Sequence, residues 1–114
     1  MMMRFALPVC EGVLSMHFGH CEKFALVDVD PELKAIVGTT ELDPPPHQPG
    51  LLPGWLAERG VNLVIAGGMG NRAQQLFAEA GVKVIVGAPS SDPESVAMDY
   101  LSGNLVTGAN VCDH

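Results

Sequence analysis

One stretch constrains the fold more than any other. Val61-Asn62-Leu63-Val64-Ile65-Ala66 is a near-continuous apolar run, followed at once by Gly67-Gly68-Met69-Gly70 and then by a helix-period segment from Asn71 to Ala80. A strand that apolar on successive residues has to be covered on both faces. Ala73, Leu76, Phe77 and Ala80 share one stripe of the following segment, as a helix lying on a sheet requires. Gly81 ends that helix, and Val82-Lys83-Val84-Ile85-Val86 repeats the buried-strand pattern. Strand, helix, strand in this order implies parallel neighbours joined by a right-handed crossover.

The flanking segments extend the same plan. Met3 to Val9 is a short apolar run that reads as a first buried strand. Glu22 to Asp30 ends in alternating apolar and acidic residues, and Leu33 to Thr40 follows the turn signal Asp30-Pro31-Glu32. These two runs predict an antiparallel hairpin with Asp28, Asp30 and Glu32 on its solvated face. From Leu42 to Gly50 the prolines Pro44, Pro45, Pro46 and Pro49 forbid helix or central strand. Leu51, Leu52, Trp55 and Leu56 then predict a short helix stopped at Arg59-Gly60. Ser91 or Asp92 caps a last helix with Pro93 at its first position, closed by Gly103. The expectation is a single α/β domain over residues 1–114, with a five-stranded mixed sheet, helices on its faces and residues 103–114 as a mobile tail.

Charge excludes some functions. Six Lys and Arg stand against 13 Asp and Glu, a net charge of −7, the wrong balance for gripping nucleic acid through its phosphates. No segment reaches the roughly 18 apolar residues that span a bilayer. The apolar run from Phe5 to Val9 is too short for a signal-peptide core, so a cytoplasmic protein with reduced thiols is expected. In that setting three cysteines, Cys10, Cys21 and Cys112, point to metal ligation, redox chemistry or burial.

The densest chemical signal is His17-Phe18-Gly19-His20-Cys21, between the first strand and the hairpin. Imidazole and thiolate bind borderline and soft metals, and the whole chain holds only 4 His and 3 Cys. The alternative is a structural one, with Cys21 buried and the histidines capping carbonyls. Cys112-Asp113-His114 adds further donors at the C-terminus, or is a frayed end. His47, stiffened by the surrounding prolines, is a ligand, a lid residue or an exposed histidine. Gly68-x-Gly70-x-x-Ala73 formally matches a dinucleotide fingerprint, but no acidic ribose-binding residue follows the next strand. What survives is a small-anion site from Gly68, Gly70, Asn71 and Arg72 at a helix start, or glycines placed for tight packing. No serine sits in a nucleophile elbow and no carboxylate pair stands out, so binding rather than turnover is expected.

With these elements placed, the chain resembles the dinitrogenase iron–molybdenum cofactor biosynthesis family, the small NifX/NifB-like domains. The resemblance runs through Arg4-Phe5-Ala6-Leu7-Pro8, His17-Phe18-Gly19-His20-Cys21-Glu22-Lys23-Phe24, Gly50 to Leu56, Val64 to Ala73 and Gly81-Val82-Lys83-Val84, and includes the Cys112-Asp113-His114 ending. It implies a ribonuclease-H-like α/β domain that binds, carries or protects an iron–sulfur or molybdenum-containing cluster, or a single transition-metal ion, without catalysis. On that reading His17, His20 and Cys21 hold the metal, Cys112 and His114 close from the tail, and His47 is a further candidate. Two other readings stay open: a regulatory or scaffolding module docking on a cluster-assembly protein such as an ATPase, and a nucleotide-binding enzyme at the glycine turn.

Overall fold

The computed structural model describes residues 2–16, 18, 21–45 and 50–108. In chain order they form β1 (Met3–Cys10), β2 (Val13–Leu14), β3 (Lys23–Asp30), β4 (Ala35–Leu42), α1 (Leu51–Glu58), β5 (Leu63–Ile65), α2 (Asn71–Glu79), β6 (Lys83–Ile85) and α3 (Pro93–Ser102). The sheet runs β4-β3-β1-β5-β6, with β2 pairing to β1. Pairing of β1 with β5 and of β5 with β6 is parallel, whereas β1 with β3 and β3 with β4 is antiparallel. The sheet is therefore mixed, as the sequence predicts, but it has six strands rather than five. The additional one is β2, which folds back on the end of β1 through Glu11 and Gly12, both at positive φ (54° and 82°). Two residues are too short a strand to leave a periodic signal.

Strand alternation divides the core into two layers. Phe5, Leu7 and Val9 of β1 join Val27, Val29, Leu63 and Ile65 on the face covered by Val96 and Ala97 of α3, with Tyr100 packed alongside. Ala6, Phe24, Leu26 and Val64 meet Leu56 of α1 and Phe77 of α2 on the other face. The last helix begins as its capping pattern demands: the Asp92 carboxylate accepts from the Ser95 N–H at 3.0 Å, and Pro93 follows it. Among the described residues no helix is long and apolar enough to cross a membrane.

Two local expectations need correction. Asp28 is half-buried rather than part of a solvated face: antiparallel register sets it opposite Arg4, whose Nε lies 2.7 Å from its Oδ1. Arg4 also donates to the Arg59 carbonyl at 2.7 Å. Both side chains of the ion pair remain about a third exposed (39% and 32%), so the pair is worth no more than about 1 kcal/mol. The hairpin strand β4 starts at Ala35 instead of Leu33, because the Asp30 Oδ1 accepts from Glu32 and Leu33 and Lys34 takes φ 52°. That side-chain turn holds four residues out of the strand.

The chain beyond α3 returns to the body. Leu105 packs on the α3-side core, and the Gly108 N–H donates to the Gly87 carbonyl at 2.7 Å. Gly87 has φ 80°, and a Cβ there would overlap the Gly108 carbonyl.

Candidate functional site

The parallel strands β1, β5 and β6 end at one rim of the sheet. The chain leaves β1 toward β3 on one side, and leaves β5 through α2 toward β6 on the other. In open α/β sheets the carboxyl ends of the strands at such a divergence are the usual ligand position. Three loops converge there. The Ser15 N–H donates to Pro8 O at 2.8 Å, Gly67 N–H to Ser15 O at 3.3 Å, and Phe18 N–H to Gly68 O at 3.0 Å. From the third loop, Gly87 N–H reaches Gly67 O at 3.0 Å and the Ser90 hydroxyl donates to Leu14 O at 2.8 Å.

The segment expected to supply metal donors is thereby tied to the glycine turn. Phe18 is buried, its ring 5.6 Å from Phe24 and 5.4 Å from Phe77 between centroids. Cys21 is half-buried and packs against the same core. His17, His20, His47, Cys112 and His114 lie outside the described residues. Among the described residues no group of three or more His, Cys, Asp or Glu is placed to hold a metal ion.

The glycine turn divides by role. Gly67 and Gly68 are buried, and a Cβ at Gly67 would lie 2.9 Å from the Met16 Cα and 3.0 Å from the Ser15 carbonyl oxygen. Gly67 is thus glycine because another backbone presses on it. Gly70, Asn71 and Arg72 are exposed at the start of α2, whose cap carries no side-chain hydrogen bond and whose first turn has no acidic residue. Positive helix-end potential and Arg72 are available to an anion at that point.

Cys10, read from the sequence among three thiols open to metal ligation, redox chemistry or burial but not among the expected metal donors, lies close enough to Cys21 for its charge to act on that thiol. Val9 pairs with Lys23, while the next hydrogen bond, Glu22 N–H to Val9 O at 2.9 Å, is one residue out of step. The slip leaves Cys10 across from the Cys21-Glu22 step. Glu22 also accepts from the Glu11 N–H at 2.7 Å, closing the turn over the pair. Both cysteines are free thiols. Desolvation first, then the Glu22 and Glu11 carboxylates and a hydrogen bond to Glu22, hold the Cys10 thiol above its ordinary range. Burial, augmented by the charge of Cys10 and opposed by a backbone hydrogen bond, pushes the Cys21 thiol up to about 11.

Folding favours the neutral Cys21 thiol, so its contribution to stability is present below the usual value of 9.0 and fades as pH rises toward about 11. In the native protein the alkylation rate of Cys21 by iodoacetamide should keep climbing through that window, whereas denatured protein levels off near the usual value. A native plateau coinciding with the denatured one would contradict the burial. Mass-spectrometric alkylation profiles make the comparison.

Fold and rim together define a mixed α/β domain whose Ser15, Gly67-Gly68 and Gly87-Ser90 segments meet at the ends of its parallel strands. The chain belongs to the dinitrogenase iron-molybdenum cofactor family, whose model matches residues 1–103. An uncharacterized protein of Methanocaldococcus jannaschii, MJ0580, is 30% identical over 107 residues, which cover 91% of this chain and 90% of that one. The crystal structure of PH0822 superposes with a TM-score of 0.84 at 26% identity, covering 92% of this chain and 94% of that chain. The apo form of the orange protein from Desulfovibrio gigas gives 0.72 at 22% identity over 96% of both chains, a likeness of fold.

Proposed function

We propose that the protein is a non-catalytic carrier of an iron–sulfur or molybdenum-containing cluster, or of its precursor, held at the rim where β1 and β5 diverge. The observation that carries this reading is the backbone stitching of the Ser15–Phe18 segment to Gly67 and Gly68. It puts the segment that carries soft donors and the uncapped start of α2 at one end of the sheet. His17, His20 and Cys21 are the proposed ligands, with His47, Cys112 and His114 as further donors. Gly68, Gly70, Asn71 and Arg72 offer the anionic cargo a positive helix end, as reversible holding of an anionic cluster requires. A single transition-metal ion would use the same donors. Membership of a family described by the dinitrogenase iron-molybdenum cofactor supports the class of cargo.

Anaerobic loading with iron, sulfide and molybdate tests it, read by metal analysis and absorption spectra. The wild-type chain should retain metal through gel filtration, and the double substitution His20→Ala, Cys21→Ala should retain about tenfold less or lower still. Equal retention by both would remove this segment from the site.

A second reading, a scaffold docking on a cluster-assembly protein, is favoured by the outer strand β4. It forms an edge of the sheet, with Leu33 beside it 76% exposed and Val37 61% exposed. Unpaired edges of this kind are places where another chain can add a strand. A pull-down with and without chelator separates the readings, because a scaffold keeps its partner after metal removal.

A further inference from the structure

We propose that Cys10 and Cys21 form a reversible dithiol–disulfide pair that closes the loop between β1 and β3. At Val9 the β1–β3 ladder slips by one residue, so the chain entering β3 offers Cys21 and Glu22 together to Cys10. Neighbouring residues on antiparallel strands have α-carbons about 4.5–5.5 Å apart, inside the roughly 4.4–6.8 Å range that a disulfide spans. Strand alternation puts Cys10 on the same face as Ala6, and Cys21 packs against that face's core. Ten residues separate the two cysteines, and the turn at Glu11 and Gly12 with the Glu22 clasp holds both ends of that connection. Both thiols are free and half-buried, so a small oxidant can reach them.

The step needs an external disulfide, such as oxidised glutathione. The Cys10 thiolate attacks one of its sulfurs, giving a mixed disulfide and one released thiol. The Cys21 thiolate then attacks the Cys10 sulfur and displaces the second. Two protein S–H bonds are exchanged for one S–S bond, and both electrons and both protons leave on two molecules of small thiol. The consequence for cargo rests on the carrier reading: oxidation removes the Cys21 thiolate and with it one proposed ligand.

The test uses the full chain carrying Cys112→Ser, so that the third thiol is silent. Folded protein is incubated with oxidised glutathione at mildly alkaline pH, then analysed by non-reducing intact mass and peptide mapping. The expected product is lighter by two hydrogens, with the Cys10 and Cys21 peptides linked, and dithiothreitol restores the starting mass. Adding Cys10→Ser, or Cys21→Ser in a parallel sample, should abolish that product. Stable glutathione adducts on both cysteines, or two unreacted thiols where denatured protein reacts, would overturn the pair. Metal loading of the reduced protein is measured separately. Failure to load overturns the carrier reading while linked peptides uphold the disulfide; loading that survives complete oxidation shows that the ligand set excludes Cys21.

Discussion

Phe18→Ala is expected to destabilise the protein by about 3–5 kcal/mol, the usual cost of deleting a large buried aromatic. Phe18 is 5% exposed and sits between Phe24 and Phe77, with Phe24 in turn 6.0 Å from Trp55. Edge and tilted ring pairs at these separations add to simple area burial. The loss should therefore exceed that of an aliphatic truncation elsewhere in the same layer. Phe18 is also the side chain that ties its own segment to the core, since its ring neighbours Phe24 and Phe77 belong to β3 and α2. On the carrier reading metal retention should fall along with stability, and a Phe18→Leu protein should recover much of the stability. Chemical denaturation followed by fluorescence of the single Trp55 measures the first quantity. A loss below about 1 kcal/mol would mean that the loop is not anchored through this ring.

Gly67→Ala is the second large effect, expected at about 1–3 kcal/mol through overpacking. Its new methyl would meet the Met16 α-carbon at 2.9 Å and the Ser15 carbonyl oxygen at 3.0 Å, and these are backbone atoms that cannot swing aside as a side chain can. Relief requires the Ser15–Phe18 segment to shift, which stretches the Gly67-to-Ser15 and Phe18-to-Gly68 hydrogen bonds. Gly54→Ala supplies the opposite sign. Gly54 lies exposed within α1 with nothing near its missing Cβ, so alanine there should stabilise by about 0.5–1 kcal/mol. Thermal unfolding of the two variants should move Tm in opposite directions. Equal shifts would show that the close approach at Gly67 is absent.

The elements that the sequence made legible are those whose burial is strongest. Val61 to Ala66 announces β5 because both its faces are covered, and Asp92-Pro93 announces α3 because a cap and a fixed φ coincide; Val82 to Val86 announces β6 through its β-branched run, although this outer strand is only half-buried, with Lys83 exposed, and not fully buried as its apolar pattern predicts. What escaped depends on pairing between distant segments. Glu11-Gly12 makes the turn into β2 with a glutamate where Asn or Asp is the usual partner of Gly, so composition gave little warning. The Arg4–Asp28 ion pair follows from cross-strand register, which no local pattern reveals. Cys10 illustrates the same point at the site. Read alone it ends an apolar strand, and only the slipped hydrogen bond at Val9 makes it a neighbour of Cys21. Cys21 itself and the glycine turn were visible because several uncommon residue types stand together in each.

The contact between Gly87 and Gly108 carries a practical corollary. Anything covalently joined after Gly108 departs from the rim where β1, β5 and β6 end. A bulky group joined there would lie close to the rim where the Gly67-Gly68 turn and the Ser15 and Phe18 backbone meet. One placed ahead of Met3 leaves from the opposite rim of the sheet, where β1 begins.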